Sequence, residues 1–341
     1  MGEKIVLGLS GGIDSAYAAI LLKEQGFSVV AVYALMDDRC DGSKDAELLA
    51  ERLGLEFVLL DERERFCNEV LRPFVDQYTL GRTPNPCVLC NPRVKIRSLI
   101  ETADNIGAEK IATGHYAKPC KVGGRYSFAP AADRGKDQGY FLYGLPQEFI
   151  ARTVMPLAGV IKSDIRAFFT DGSIISLSKG ESNDICFAAD GYRPIIEQYG
   201  VLPPEGRFVD SSGKTLGSHS GIHNYTVGQR KGLGIALGKP AFVKSINAAD
   251  NTVVLSFAED AYCEGFDVSD VNYLAAEGVE IGESFSVRVR YRSKPVGCVI
   301  TSVSDSGISV AFDAPERVVA PGQSAVFYND DGIIAFGGVI R

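Results

Sequence analysis

Hydrophobic positions in the first third of the chain alternate between two patterns. Residues 4–9 form a short apolar run, the mark of a strand buried on both faces. Ser10-Gly11-Gly12 punctuates it. Residues 14–25 then read as a helix, with Ala18, Leu21 and Leu22 on one face and Gly26 as its stop. The same reading predicts a strand at 28–35, a helix at 44–53 closed by Gly54, and a strand at 56–60. A further helix is expected over 93–106 and a strand over 110–113. Such alternation implies an α/β fold: a parallel sheet with helices on both faces, whose ligands sit past the carboxyl ends of the strands.

Residues 147–199 are mixed and mostly helical in pattern. After Pro203-Pro204 the texture changes to glycine-rich turns and β-branched runs, as at 252–255 and 285–291. From about residue 266 short strands follow at close spacing, which predicts a small β-barrel or sandwich. The expected organisation is a catalytic α/β domain at 1–200, a small β-rich domain at 201–265 and a C-terminal barrel at 266–341.

Composition changes this picture little. The chain has 341 residues, 45% hydrophobic and 23% charged, which excludes disordered and low-complexity classes. No run of about 18 apolar residues occurs, so no membrane span is expected. The first residues lack a basic, apolar and cleavage-site pattern, so no export signal is expected. The net charge of −8 gives no global attraction to nucleic acid, and a local basic patch is needed for that. Eight cysteines without an export signal suit a reducing cytoplasm.

Gly8-Leu9-Ser10-Gly11-Gly12-Ile13-Asp14-Ser15 joins the first strand to the first helix. Its glycines let backbone N–H groups turn inward, Ser10 and Ser15 add hydroxyls, and the helix start adds a positive dipole end. Together these predict a pyrophosphate site. The plain alternative is a strand-to-helix turn capped by Asp14 or Ser15. Ser212-Gly213-Lys214-Thr215 lacks the upstream glycine of a Walker loop, with Phe208 in its place, and reads as a turn before a strand.

Pro84-Asn85-Pro86-Cys87-Val88-Leu89-Cys90 places two thiols three residues apart on a proline-restricted loop. The pair suits a zinc half-site, a redox pair or part of an iron–sulfur site. Cys186, between Ile185 and Phe187, is either buried packing or a third thiol. His219 and His223 are spaced i,i+4 among Gly and Ser, and read as core or RNA-facing rather than zinc ligands.

Seven segments in order resemble the tRNA-specific 2-thiouridylase family of the ATP pyrophosphatase superfamily. They are 10–15, 81–91, 113–116, 136–142, 185–187, 225–234, and Arg290-Tyr291-Arg292 with Pro321-Gly322-Gln323. Many family members carry Asp where this chain has Cys87. Gly139 stands for the usual Ser. The Cys87–Cys90 pair tilts the reading toward a three-cysteine iron–sulfur site.

The resemblance implies a tRNA uridine 2-sulfurtransferase. ATP adenylates O2 of the wobble uridine, and sulfur then displaces AMP to give 2-thiouridine. ATP is implied to bind at Gly8, Leu9, Ser10, Gly11, Gly12, Ile13, Asp14, Ser15, Ala34 and Gly114, with Mg²⁺ on its phosphates. Sulfur is implied either on a Cys186 persulfide partnered by Cys90, or on a [4Fe–4S] cluster held by Cys87, Cys90 and Cys186. Asn85, Pro86, Lys136, Asp137, Gln138, Arg290, Tyr291 and Arg292 are the implied tRNA contacts, and 146–200 is implied to face tRNA. The implied partners are a tRNA anticodon stem-loop and a sulfur donor, either a persulfide relay protein or sulfide, with no membrane and no DNA. Arg82, Arg93, Lys95 and Arg97, and the alternating Arg288, Arg290, Arg292 and Lys294, form basic stretches suited to phosphate. The alternatives are another AMP-forming enzyme of the superfamily acting on a small molecule, and a non-catalytic tRNA-binding paralog.

Overall fold

The computed structural model describes residues 2–170, 185–188, 191–257 and 262–341. By contact density these divide into two units. The first comprises 1–70, 87–189 and 331–335; the second comprises 71–86, 190–330 and 336–341.

The first unit is built on a five-stranded parallel sheet. Its strands are β1 (Lys4–Gly8), β2 (Ser28–Leu35), β3 (Glu56–Asp61), β4 (Lys110–Thr113) and β7 (Thr153–Val154), in the order β3-β2-β1-β4-β7. Ile5, Val6 and Leu7 are fully buried. This is why β1 reads as an unbroken apolar run: a central parallel strand is covered on both faces. Burying each such side chain contributes about 1.5–3 kcal/mol. Helices α1 (Ile13–Glu24), α2 (Ser43–Leu53) and α8 (Lys162–Thr170) share one core with the sheet through Ala18, Leu22, Leu49, Leu53, Ile165 and Phe169. Helix α6 (Ile96–Ile106) packs against β1, where Leu99 closes on Gly8.

Strand order reverses between β1 and β4, so the crevice past Gly8 and Thr113 is the place for a ligand. The four predicted strands agree closely with β1–β4, and β7 was not anticipated. Sequence reading did not anticipate the hairpin β5 (Lys118–Val122) and β6 (Arg125–Ala129), nor the short helices α3 (Arg63–Phe66) and α4 (Arg72–Thr79).

Within the second unit, α4 packs against α9 (Arg193–Tyr199), with Tyr78 stacked on Tyr192 at 4.2 Å. A four-stranded sheet follows: β8 (Gly206–Val209), β9 (Thr215–His219), β10 (Ala241–Asn247) and β11 (Thr252–Phe257), in the order β10-β11-β8-β9. The Ser212–Thr215 segment is the expected turn, held by Asp210 Oδ1, which accepts from the backbone N–H groups of Ser212 and Lys214. His219 and His223 are core residues, each 4% exposed.

The C-terminal strands are β12 (Tyr262–Tyr273), β13 (Ser284–Arg288), β14 (Val296–Ser304), β15 (Gly307–Arg317), β16 (Ser324–Tyr328) and β17 (Ile334–Ile340). They close as a barrel, β12-β15-β14-β13-β16-β17, which leaves no free sheet edge. The expected alternation of Arg288, Arg290, Arg292 and Lys294 on one strand face is not found. β13 ends at Arg288, and the chain turns through 289–293. Period two holds only while the backbone is extended.

Candidate functional site

Helix α1 begins at Gly12, which caps it with backbone alone and no side-chain bond. Its first N–H groups are therefore left without side-chain caps at the mouth of the crevice, where an anion can take them. Gly11 has φ +77°, a left-handed conformation that glycine adopts without strain. Ser15 is buried and ties the loop together. Its Oγ donates to Gly12 O at 2.9 Å and accepts from Ser10 N–H at 3.2 Å. Ser10 is exposed, and its Oγ lies 3.2 Å from Ser15 Oγ. Leu9 is buried and donates its N–H to Val32 O. Ile13 and Ala34 are half-buried.

Neither Asp14 nor Ser15 caps α1. The Asp14 carboxylate instead receives Lys162 Nζ on both oxygens at 2.5 Å and Tyr116 Oη at 2.7 Å. Burial and the adjacent carboxylate raise the Tyr116 phenol, so it stays a donor. Lys162 was not singled out from sequence, because nothing in its local pattern places it beside the loop. Gly114 closes the same corner. A Cβ there would lie 3.1 Å from Ser15 N and 3.2 Å from Ser15 Cα, so a side chain would press the end of β4 away from the backbone of α1 by a few tenths of an ångström.

The thiols gather past the end of β2. Pro86 opens α5 (Pro86–Cys90), whose i,i+3 spacing puts Cys87 and Cys90 on one face. Asn91–Lys95 is a π-helical turn, closed by Ile96 N–H donating to Asn91 O. Buried Asn91 donates to Phe141 O at 3.0 Å, tying this turn to the 139–141 segment. Cys90 is buried and contacts Met36 Sδ at 3.7 Å. Phe187 is buried edge-on against Phe66 at 5.3 Å, while Cys186 beside it is exposed. Of the two readings of Ile185-Cys186-Phe187, the buried role therefore falls to the phenylalanine.

Cys186 is within electrostatic reach of Cys87, Cys90, Lys95 and Cys40. Burial pushes Cys90 up to about 12 and Cys87 up to about 11, while Lys95 pulls both back. Burial likewise raises Cys40 to about 11. His115 is held neutral, lowered to about 3 by burial and then by Lys95; its Nδ1 lies 2.9 Å from Thr113 Oγ1.

Among the described residues no three His, Cys, Asp or Glu side chains converge as a metal site. Cys90 is buried, Cys87 half-buried and Cys186 exposed.

Other predicted contacts are occupied locally. Asp137 accepts from the N–H groups of Ala131 and Gly139, and Gln138 Oε1 accepts from Tyr116 N–H. Lys136 N–H donates to Asp133 O. In the second unit, Asn85 is half-buried, and Thr83 N–H donates to Pro321 O just before it. Arg290 donates to Val227 O at 3.1 Å and lies against Gly228. Tyr291 is half-buried and Arg292 exposed. Of the basic stretch at 93–97, Arg93 pairs with Glu69 and Arg97 lies over Phe149, while Lys95 is half-buried beside the thiols.

Three family models match the chain: a tRNA methyl transferase HUP domain over 3–190, a tRNA methyl transferase PRC-barrel domain over 195–256, and an aminomethyltransferase beta-barrel domain over 263–340. The tRNA-specific 2-thiouridylase MnmA of Clostridium perfringens is 38% identical over 354 aligned residues, covering 99% of this chain and 98% of its own. The protein called tRNA-specific 2-thiouridylase MnmA 3 in Bacteroides fragilis is 41% identical, covering 96% and 91%. The tRNA-specific 2-thiouridylase MnmA of Geotalea uraniireducens is 39% identical, covering 98% and 94%. Matched over nearly its whole length, with its phosphate loop and thiols at the ends of neighbouring strands, the chain belongs to the tRNA-specific 2-thiouridylase family.

Proposed function

We propose that this chain is a tRNA uridine 2-sulfurtransferase that makes 2-thiouridine at the wobble position. ATP lies along Gly8–Ser15 with its pyrophosphate end on the open N-terminus of α1, beside Ala34 and Gly114. The uridine O2 attacks the α-phosphate, the bond to pyrophosphate breaks, and O2 is carried as an adenylate. A Cys186 persulfide then attacks C2. The C2–S bond forms and AMP leaves with its oxygen. Attack by the Cys90 thiolate on Cys186 Sγ releases the C2-bound sulfur as the thiocarbonyl and leaves a Cys90–Cys186 disulfide. A thiol reductant and a persulfide donor then reset the pair.

The observation that supports this reading most is the placement of the loop and the thiols past the carboxyl ends of adjacent strands β1 and β2. Single-stranded RNA is the suited substrate, because a wobble base can leave its stack without unpairing a duplex. Asn85, Pro86, Lys136, Asp137, Gln138, Arg290, Tyr291 and Arg292 are the proposed tRNA-facing positions. Among the described residues no helix is long and apolar enough to cross a membrane, and the proposed setting is the cytoplasm.

The test is 2-thiouridine formation in unmodified tRNA with MgATP and a persulfide donor, measured by nucleoside mass spectrometry. Wild type should form it. Cys186→Ser should abolish it while still releasing pyrophosphate. Tight tRNA binding with no pyrophosphate release would favour a binding paralog. Pyrophosphate release independent of tRNA would favour a small-molecule substrate.

A further inference from the structure

Residues 211–249 contain no Asp or Glu, although the 341-residue chain has 43 of them, and carry Lys214, Arg230, Lys231, Lys239 and Lys244. One stretch of an acidic protein is thus free of negative charge. The segment leading from Arg230 into β10 surrounds a groove of about 540 Å³, walled by Leu233, Ile235 and Leu237. Arg230 and Lys239 line it, and both are exposed, as is Lys231. Arg230 Cζ lies 5.9 Å from the ring centre of Phe242, and Lys239 Nζ lies 3.6 Å from that of Phe257. A ring face steadies a cation without neutralising it. Among the described residues no carboxylate pairs with Arg230, Lys231 or Lys239. Glu259 and Asp260 lie outside the described residues. Gly234 and Gly238 are left-handed, at φ +70° and +72°, with open space where a Cβ would sit, so the backbone of the groove is accessible to a ligand.

We propose that this groove and its cations are a docking site for the backbone of the RNA substrate, additional to the tRNA-facing positions named above. The inference rests on the sulfurtransferase reading and adds a contact that senses phosphate rather than sequence. A net charge of −8 repels RNA as a whole, so affinity has to come from local patches of unpaired cations. Phosphates that meet Arg230, Lys231 and Lys239 release their counterions, which drives binding. A nucleotide offers a phosphate and a flat apolar face together, and the cations and the apolar wall of the groove receive both. An acidic protein surface is the rival that the test separates.

The test follows binding of unmodified tRNA to the full chain by fluorescence anisotropy over a series of KCl concentrations. The combined variant Arg230→Gln, Lys231→Gln, Lys239→Gln should bind about tenfold or more weakly, and its plot of log affinity against log salt should be shallower by about two to three units. In 2-thiouridine formation its KM for tRNA should rise while kcat stays within about twofold, as expected when only uniform binding is lost. The charge-retaining variant Arg230→Lys, Lys231→Arg, Lys239→Arg should bind within about threefold of wild type, which a merely structural role would not require. Salt titrations of the Gln variant that superimpose on wild type overturn the proposal. Unchanged tRNA affinity beside lost affinity for a persulfide donor protein overturns it in favour of an acidic protein partner.

Should the Gln variant fail to fold, a second measurement needs no substitution. Bound tRNA should protect Lys231 and Lys239 of the wild-type chain from acetylation by an N-hydroxysuccinimide ester, read by peptide mass spectrometry. Equal acetylation with and without tRNA sinks the idea. Either negative result leaves the sulfurtransferase reading standing. Absence of 2-thiouridine with wild type, beside lost tRNA affinity in the Gln variant, would do the reverse.

Discussion

Lys162 Nζ lies 2.5 Å from both carboxylate oxygens of Asp14, so the first turn of α8 reaches the first turn of α1 across 148 positions of sequence. The pair is partly shielded, with 13% and 33% side-chain exposure. It keeps a carboxylate at the proposed phosphate site from standing as a bare negative charge.

Lys162→Met should therefore weaken ATP binding at least fivefold by calorimetry. The stability loss should stay near about 1 kcal/mol, because the pair is not deeply buried. Unchanged affinity would make Lys162 a structural tie only.

Gly114→Ala should cost about 1–3 kcal/mol in thermal unfolding, the range for an overpacked contact. The atoms its Cβ would meet are the backbone of Asp14 and Ser15, which cannot swing aside. ATP should also raise the melting temperature less in this variant than in wild type. Equal ATP shifts in both would separate Gly114 from the nucleotide site.

Cys87→Ala should retain 2-thiouridine formation to within about threefold, since a two-thiol exchange needs only Cys90 and Cys186. Loss of activity to the level of Cys90→Ala, with iron in anaerobically prepared wild type, would restore the three-thiol centre.

His219 and His223 are buried, and burial lowers both in the folded state. In the unfolded chain they titrate near about 6.5. The stability from keeping them neutral is thus present above that value and lost as pH falls below it toward the depressed folded values. Urea midpoints should drop between pH 7 and pH 5, and His219→Phe with His223→Gln should flatten the drop. Glu197 and Arg193 act on His223 in opposite directions. An undiminished slope in the double variant would assign the effect to other groups.

Phe187→Ala should reduce thiolation while ATP binding is retained. The ring packs on Phe66 and holds the turn that presents Cys186. Equal losses in both measurements would point to general unfolding.

The parallel sheet was legible because its strands are covered on both faces and so read as apolar runs, as β1 and β2 do. The loop at 8–15 was legible because a phosphate cradle needs glycines at fixed places. The short helices at 63–79 escaped notice: Arg63, Glu64 and Arg65 dilute the apolar period there, and their burial is settled by distant partners such as Phe187. The basic run after Arg288 misled for the opposite reason. Alternation in sequence says nothing of where the extended backbone stops.

What the sequence determined by itself is the part carried by local chemistry and periodicity: the α/β sheet, the glycine-rich loop between β1 and α1, and the C-terminal barrel. What the tertiary structure decided is which of those groups face one another. Asp14 and Lys162 meet through the packing of two helices, and Cys186 is exposed while its neighbour Phe187 is buried. Such neighbours are set by the packing of whole elements, and that packing depends on the entire core rather than on any stretch of residues.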